Sequence, residues 1–319
     1  MENVSAVTSF ILTAYTELEE HRYLYFVFFL LVYMLTLLAN SVLILVICID
    51  RGLHEPMYLF ICNLAVNELY GSTSLLPSIL CHLLSHNYEI SLTFCLLQIF
   101  CLHLYGSVDF TILAVMGYDR YVAICRPLHY HLLMPHRKVC TLILTCWIYP
   151  CILFGLFFML TVQRTFCGRI IERMHCLNSD LTKLSCFEIS IQSIVGLFVA
   201  FLVIVPQLLM ILFSYAQIFK ICLFASKESQ RRALQTCTPH VLAVVGYALG
   251  AFFEVIQSRS NNSHVLHKAH MFYSLYSLVF TPIFNPVVYG ICIQTIRVRI
   301  YKLFSGKTSK LTPGKVVMK

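Results

Sequence analysis

The apolar positions of the chain fall into seven long runs that are separated by shorter polar segments. The runs cover residues 24–49, 57–81, 92–118, 139–161, 190–219, 233–257 and 270–293. A helix needs about 20 apolar residues to cross about 30 Å of hydrocarbon, and each run meets this requirement. None of the runs alternates polar and apolar positions as the strands of a membrane β-barrel do. The pattern predicts an all-α membrane protein, a bundle of seven transmembrane helices.

The composition excludes the main classes of soluble protein. Of the 319 residues, 59% are hydrophobic and 12% are charged, and the mean hydropathy is +0.78. A soluble domain carries about 25% charged residues. The composition therefore argues against a secreted enzyme, a pair of cytosolic domains and a disordered protein. We divide the chain into an N-terminal segment (1–23), a transmembrane domain (24–293), and a terminal helix and tail (294–319).

The basic residues predict the orientation of the chain. With seven spans, seven of the 23 Lys and Arg residues share a side with the N-terminus, and sixteen lie on the opposite side. Because cytoplasmic loops are the basic ones, we expect an extracellular N-terminus in the plasma membrane. The net charge of +8 then indicates anionic inner-leaflet lipid and a cytoplasmic protein partner, not nucleic acid. The stretch 296–304 is predicted to lie along the inner membrane surface as a basic amphipathic helix.

The outer side carries candidate modification sites. Asn3-Val4-Ser5 is a glycosylation sequon, and we expect Asn3 to be modified. A second sequon at Asn261 lies close to the membrane, which argues against its use. Four of the fifteen cysteines lie at this oxidising face: Cys95, Cys167, Cys176 and Cys186. Four cysteines allow three pairings, and a link from Cys95 to the long outer loop would hold that loop over the bundle.

Three acidic residues, Glu68, Asp109 and Glu254, lie inside the apolar runs. Such a group costs about 2.5–3.5 kcal/mol on insertion scales and is functional by default. At 1.5 Å per residue, Glu68 and Asp109 each lie about 16 Å from the inner end, and Asn40 and Asn285 about 12–14 Å. Two carboxylates in one layer cannot both stay charged without a cation or a proton. We expect a Na⁺ or proton site with Asn40 and Asn285 as supporting ligands; one neutral carboxyl in a hydrogen-bonded core is equally consistent. We expect no zinc-type metal and no other cofactor.

The inner end of the third run carries a candidate switch. Asp119 can neutralise the adjacent Arg120 at the membrane boundary, and protonation of Asp119 would then free the arginine. The alternative is a solvated interfacial ion pair.

The seventh run carries a candidate hinge at Pro286, which lacks an N–H and bends its helix. We expect Asn285 to satisfy the carbonyl that the proline leaves free. The Tyr289 hydroxyl could change partner when the bend changes. The alternative is a static kink.

Several motifs, spread over nearly the whole chain, resemble those of one receptor family. They are Leu53-His54-Glu55-Pro56-Met57-Tyr58, the stretch Met116 to Cys125 with Pro127-Leu128-His129-Tyr130, Ser214-Tyr215, Ala233 with Thr236, Cys237 and His240, and Pro282 to Tyr289. On these motifs the chain resembles a rhodopsin-like (class A) G-protein-coupled receptor, and within that class the odorant (olfactory) receptors. It differs in having Glu68 where an Asp is usual, Gly117 where an Ala is usual, and Tyr247-Ala248-Leu249 in the sixth run.

The resemblance implies a function and roles for particular residues. It pairs Cys95 with Cys176, and Cys167 with Cys186. The implied partners are a small-molecule odorant and a heterotrimeric G protein, typically the stimulatory type that raises cAMP. The residues implied in coupling and activation are Asp119, Arg120, Tyr121, Tyr215, His240, Asn285, Pro286 and Tyr289.

The resemblance also places the ligand in the outer halves of the third, fifth and sixth runs. The candidate pocket residues are Leu102, His103, Gly106, Val199, Val203, Ala251, Val255 and Arg259. His103 and Arg259 together could bind a carboxylate. The preferred alternative has His103 hydrogen-bonded in the core, and Arg259 solvated or paired with Glu254.

Two other classes of function fit the sequence less well. A proton- or sodium-coupled transporter could use Glu68 and Asp109, but we find neither internal repeats nor paired broken helices. An intramembrane enzyme would need a nucleophile or a metal constellation, and the chain has no HExxH and no GxSxG. The sequence therefore favours a receptor that is not an enzyme.

Overall fold

A computed structural model describes residues 7–186, 190–259 and 280–305, without the side chains of 190–193 and 253–259. Within these ranges the long helices are α1 (Arg22–Ile49), α2 (Pro56–Leu84), α3 (Leu92–Cys125), α4 (His136–Val162), α5 (Ser190–Phe224), α6 (Lys227–Arg259), α7 (Thr281–Cys292) and α8 (Gln294–Phe304). Helices α1 to α7 correspond to the seven apolar runs, and the seven-helix prediction is confirmed. The start of the seventh run, 270–279, lies outside the described residues.

Several of the helices, and α3, α5 and α6 most of all, extend further at their inner ends than the apolar runs do. Helix α3 continues to Cys125 and α5 to Phe224, and α6 already begins at Lys227. An α-helix satisfies its own backbone hydrogen bonds, so it can leave the hydrocarbon without unwinding. The apolar runs therefore mark the hydrocarbon thickness rather than the ends of the helices.

Within the described residues, four helical segments are long and apolar enough by composition to cross a membrane: Ala14–Ile49, Leu92–Cys125, His136–Val162 and Ile194–Phe224. The other long helices do not meet this criterion of length and apolar composition, and the reason can be identified for each. Helix α2 carries a buried polar face, α6 begins with charged turns, and α7 is described over only 12 residues. The polar face of α2 comprises Asn63, Asn67, Glu68 and Ser72. Polarity directed into the bundle lowers the hydropathy of a helix without preventing it from spanning.

Helix α3 forms the centre of the bundle. It packs against α2, α4, α5 and α6, and its side chains are buried along most of its length. Helices α1, α4 and α5 instead expose large apolar side chains such as Leu38, Leu156 and Leu209. An exposed apolar surface of this extent is suited to lipid and not to water.

A small three-stranded sheet closes one end of the bundle. Its central strand, β1 (Ser9–Leu12), pairs antiparallel with β2 (Glu89–Ser91) and parallel with β3 (Ile170–Ile171). Phe10 and Leu12 point inward from β1 and are fully buried. Residues 9–18 of the N-terminal segment thus contribute to the folded core, which the sequence did not predict.

Two disulfides fasten the loop that follows α4. Cys95 at the start of α3 is bonded to Cys176, and Cys167 is bonded to Cys186, so both pairings implied by the family resemblance are present. The backbone N–H of Cys176 also donates to Gln98 Oε1 at 2.9 Å. The loop is therefore held against the outer end of α3 by a covalent bond and a hydrogen bond.

We predict that Tyr15→Phe loosens the sheet. The buried Tyr15 hydroxyl donates to the Met174 carbonyl at 2.8 Å, and its loss leaves that carbonyl unpaired at a cost of about 1–3 kcal/mol. Hydrogen–deuterium exchange of the Ser9–Leu12 peptide should become faster in the purified receptor. Tyr23→Phe, at an exposed tyrosine, is the matched control. Equal exchange in the two variants would contradict the role given to Tyr15.

Candidate functional site

A buried carboxylate joins three helices near the middle of the bundle. Glu68 on α2 has 0% exposure. The Tyr105 hydroxyl on α3 donates to its Oε2 at 2.7 Å, and the side-chain amide of Asn285 on α7 donates to its Oε1. Both carboxyl oxygens thus accept a hydrogen bond, which is the arrangement that stabilises a charged carboxylate.

The prediction that Asn285 satisfies the carbonyl freed by Pro286 is wrong. The freed carbonyl is that of Pro282, four residues earlier. It accepts from Nδ2 of Asn40 on α1, at 2.9 Å. The amide of Asn285 instead donates to the Glu68 carboxyl group. The carbonyl that Pro286 leaves free in α7 therefore accepts its hydrogen bond from α1.

Four oxygens in the same region are buried without a hydrogen-bond partner among the described residues. They are Oδ1 of Asp109 and the side-chain oxygens of Asn40, Asn67 and Asn285. The amide nitrogens of the three asparagines donate to groups that only accept, namely the carbonyls of Thr36, Pro282 and Tyr105 and the Glu68 carboxylate. This fixes the orientation of the amides, so their oxygens remain as acceptors. The layer is thus lined by electron-rich oxygens from α1, α2, α3 and α7.

The described residues contain no group of three or more His, Cys, Asp or Glu that could hold a metal ion. The oxygens of the layer come mostly from amides, and hard monovalent cations accept such ligands.

The Asp119–Arg120 pair at the inner end of α3 is buried. Arg120 donates from Nε to Asp119 Oδ2 at 3.0 Å and also from Nη2 to that oxygen. The hydroxyl of Tyr130, in the following loop, donates to Asp119 Oδ1 at 2.7 Å. Burial and the charge of Asp119 raise the pKa of Tyr130, so the phenol keeps its proton and remains a donor. Of the two arrangements considered from sequence, the structure has the enclosed pair.

A second contact ties α6 to α3 and α5. His240 Nε2 lies 2.8 Å from the Leu113 carbonyl, and the Tyr215 hydroxyl lies 2.5 Å from Nδ1. A carbonyl can only accept, so Nε2 carries the hydrogen and Nδ1 of the neutral ring accepts from Tyr215. Tyr121 on α3 is half-buried, with its ring 5.5 Å from that of Phe213.

The space between these groups is almost closed. A cavity of about 10 Å³ is lined by Met57, Met116, Asp119, Arg120, Thr236, Pro239, His240, Tyr289 and Ile293. That volume holds about one water molecule at most. The Tyr289 hydroxyl is buried without a hydrogen-bond partner among the described residues. The space beside Arg120 between α3, α6 and α7 is therefore closed in this structure.

The candidate pocket residues have different environments. Leu102 and Val203 are buried, Val199 is half-buried and Ala251 is exposed on α6. The side chains of Glu254, Val255 and Arg259 lie outside the described residues, so the predicted pairings of Arg259 do too.

His103 has the core arrangement preferred from sequence. Its Nδ1 donates to the Ile99 carbonyl at 3.0 Å, and its ring stacks on Phe154 of α4 with centroids 4.7 Å apart.

Gly106 borders open space. Apart from its chain neighbours and the backbone of its own helix, a Cβ built on Gly106 would have no atom of the described residues within 4 Å. The Tyr247 hydroxyl on α6 donates to the Gly106 carbonyl at 3.1 Å, and the Tyr247 ring stacks on Phe110 with centroids 5.1 Å apart. Helices α3 and α6 are thus in contact directly beneath the open space.

Sequence reasoning missed three tyrosines of the site: Tyr105, Tyr130 and Tyr247. Tyr105 lies four residues before Asp109 and so shares its helix face, a spacing that could have revealed it. Tyr130 stood in the quoted Pro-Leu-His-Tyr motif, but nothing local indicated that it contacts Asp119.

Comparison with known proteins agrees with this geometry. The fold resembles the crystal structure of squid rhodopsin, with a TM-score of 0.72 at 16% identity over 92% of this chain and 89% of that one. The fold is that of a rhodopsin-like seven-helix bundle.

The family model for "Olfactory receptor" matches residues 29–307, and the chain belongs to that family. Relatives include human olfactory receptor 52D1, 33% identical over 94% of this chain and 96% of its own length. Mouse olfactory receptor 1M1 is 33% identical over 97% and 98%, and the dog olfactory receptor-like protein OLF3 is 35% identical over 90% and 91%. The chain is an odorant-sensing G-protein-coupled receptor, a multi-pass protein of the plasma membrane, and not an enzyme.

We predict that Tyr130→Phe raises basal activity. The substitution removes a donor from Asp119 and so weakens the arrangement that encloses Arg120. A loss of about 1 kcal/mol from the closed state corresponds to roughly a fivefold rise in the active fraction. Basal nucleotide exchange on the G protein, normalised to surface expression, measures the effect. Tyr301→Phe, at an exposed tyrosine of α8, is the control, and unchanged or lower basal exchange in Tyr130→Phe would argue against the role of this bond.

Proposed function

We propose that the chain binds a small-molecule odorant in the outer half of the bundle, between α3, α5 and α6. Binding there activates a heterotrimeric G protein of the stimulatory olfactory type and raises cAMP. The observation that carries this proposal is the pair of contacts from α6 to α3. Tyr247 bonds the Gly106 carbonyl beside the open space, and His240 bonds the Leu113 carbonyl beside the closed inner cavity.

These two contacts lie on one face of α6. Tyr247 and His240 are seven residues apart, which is about two helical turns. A ligand that enters the space beside Gly106 and displaces the Tyr247 hydroxyl loosens the outer contact. A rigid movement of α6 then also withdraws His240 from Leu113, and the inner cavity widens around Arg120 for the G protein.

We infer that the N-terminus is extracellular and that α8 is cytoplasmic. The sheet and both disulfides lie at the N-terminal end of the bundle, and disulfides persist on the oxidising side of the membrane. At the other end α8 presents Arg297 and Lys302 together with exposed Tyr301 and Phe304, as suits a helix on an anionic membrane surface. The glycosylation candidates Asn3 and Asn261 lie outside the described residues.

We also propose that the polar layer around Glu68 and Asp109 holds a Na⁺ ion. The four unpartnered oxygens of Asn40, Asn67, Asp109 and Asn285 support this because all of them are acceptors. A bound cation supplies the positive charge that lets Glu68 and Asp109 be ionised together. Membership of the olfactory receptor family favours a receptor with an ion site over a transporter that uses the same carboxylates.

Ligand-evoked cAMP in cells that express the receptor tests the main proposal. With a broad odorant panel, we expect agonists to raise cAMP, and we expect Gly106→Leu to abolish the response because the side chain fills the pocket. Gly155→Leu on α4 is the matched control, since a Cβ at Gly155 also meets no described atom within 4 Å.

Surface staining must show equal expression of the two glycine variants. An agonist response that persists in Gly106→Leu would contradict the pocket. Agonist-stimulated solute flux through liposomes would contradict the receptor mechanism.

Thermal unfolding of the purified receptor tests whether the polar layer binds Na⁺. Replacing choline chloride with NaCl should stabilise the protein by about 1.4 kcal/mol when Na⁺ is at ten times its Kd. Asp109→Asn should remove the difference, whereas Asp180→Asn in the outer loop should keep it. A stability that varies with pH but is the same in the two salts would favour a proton over Na⁺.

A further inference from the structure

Gln207 on α5 is a buried amide that the pocket prediction did not include. Its exposure is 3%, and it lies one helical turn inward from Val203 and two turns from Val199. Its Nε2 donates to the hydroxyl oxygen of Thr111 on α3, at 3.2 Å. The residue therefore extends the α5 side of the pocket towards α3.

The orientation of this amide follows from its neighbours. The Thr111 hydroxyl lies 2.8 Å from the Ser107 carbonyl, which can only accept, so the hydroxyl hydrogen is used there. The Thr111 oxygen can then only accept from Gln207. It follows that the amide nitrogen of Gln207 faces Thr111 and that Oε1 is directed elsewhere.

Oε1 of Gln207 has no hydrogen-bond partner among the described residues, although it is buried. Buried acceptors without a partner are rare in folded proteins, and each one calls for an explanation. Phe110, Ile211 and Tyr247 belong to one apolar cluster between α3, α5 and α6, and no described residue donates a hydrogen bond to Oε1 of Gln207.

The depth of Gln207 matches the floor of the open space. Thr111 follows Phe110, whose ring stacks on Tyr247. Gly106 lies one turn, about 6 Å, outward from Phe110 on the same face of α3. A molecule that lies against Val203 therefore meets Gln207 one turn further inward along α5, at the depth of Phe110 and Tyr247.

We propose that Gln207 Oε1 accepts a hydrogen bond from the ligand, and that the receptor selects neutral molecules with an O–H donor on an apolar chain. This inference rests on the pocket of the proposed function. A carboxylate carries no hydrogen to donate at neutral pH, so its oxygens would repel Oε1. An ether or a hydrocarbon would leave Oε1 unpaired, and a site built to bond a hydroxyl discriminates against an analogue that lacks it.

Matched probes separate the donor from the rest of the ligand. Full-length receptor in cells is titrated with short- to medium-chain primary alcohols, each paired with its isomeric methyl ether. The two isomers have the same atoms, but only the alcohol can donate. We expect the alcohols to be about tenfold more potent than their ethers.

Gln207→Met keeps the side-chain volume and removes the acceptor. It should lower the potency of the alcohols by about tenfold, leave the potency of the ethers unchanged, and bring the ratio close to one. Gln163→Met, at an exposed glutamine after α4, is the matched control and should keep the wild-type ratio. Surface staining shows whether each variant is folded and expressed.

Several results would overturn the inference. One is a wild-type receptor that does not prefer alcohols to ethers, including one that answers neither. Another is a preference that survives in Gln207→Met. If Gly106→Leu abolishes the alcohol response while Gln207→Met keeps the preference, the role of Gln207 fails and the pocket stands. If Gly106→Leu leaves the alcohol response intact, the pocket itself fails.

Discussion

The structure depends on the requirement that polar groups inside an apolar bundle find partners on neighbouring helices. Proline makes this requirement acute, because it frees the carbonyl four residues before it. In α7 the carbonyl freed by Pro286 accepts from Asn40 of α1. In α5 the carbonyl freed by Pro206 belongs to Leu202, and it accepts from the Tyr149 hydroxyl of α4 at 2.6 Å. Each bend is thereby fixed to an adjacent helix, and the bends and the helix packing are determined together.

Helix α3 makes polar contacts with several of its neighbours, at successive depths in the bundle. From the outer end inward it is joined to α2 through Tyr105, to α6 through the carbonyls of Gly106 and Leu113, and to the inner loop through Asp119. The two contacts to α6 use backbone carbonyls, so side-chain substitutions on α3 leave the acceptors in place. Both contacts belong to α6, so a displacement of α6 as a rigid body would change both of them.

Much of the architecture was predictable from the hydrophobic pattern, and the site was predictable only in part. Long apolar runs identify spans because the membrane sets their length. Glu68, Asp109, Asn40 and Asn285 were recognisable because polar side chains are costly in hydrocarbon. Their partners were not, since the pattern gives depth along a helix but not the direction in which a helix faces.

The sheet escaped prediction for a different reason. Its strands have two to four residues, too few to show a periodicity. The pairing of Ile11 with Ile170 joins positions that are far apart in sequence, so no local signal exists. Gln207 was not predicted as a site residue because a single amide in an apolar run does not by itself indicate a binding site. Its meaning comes from Thr111 on another helix, which fixes which end of the amide is left without a partner.

The distribution of satisfied and unsatisfied polar groups separates two kinds of role in this receptor. Arg120, His240 and Tyr130 have their hydrogen bonds in place, and those bonds hold the inner face closed. Tyr289 lies in the same inner cavity with a buried hydroxyl that has no partner among the described residues. The Tyr289 hydroxyl makes no bond to another described residue, so it adds nothing to the contacts that hold the cavity closed. A widened cavity would admit water to the Tyr289 hydroxyl, and this gain offsets part of the cost of breaking the contacts of His240 and Arg120.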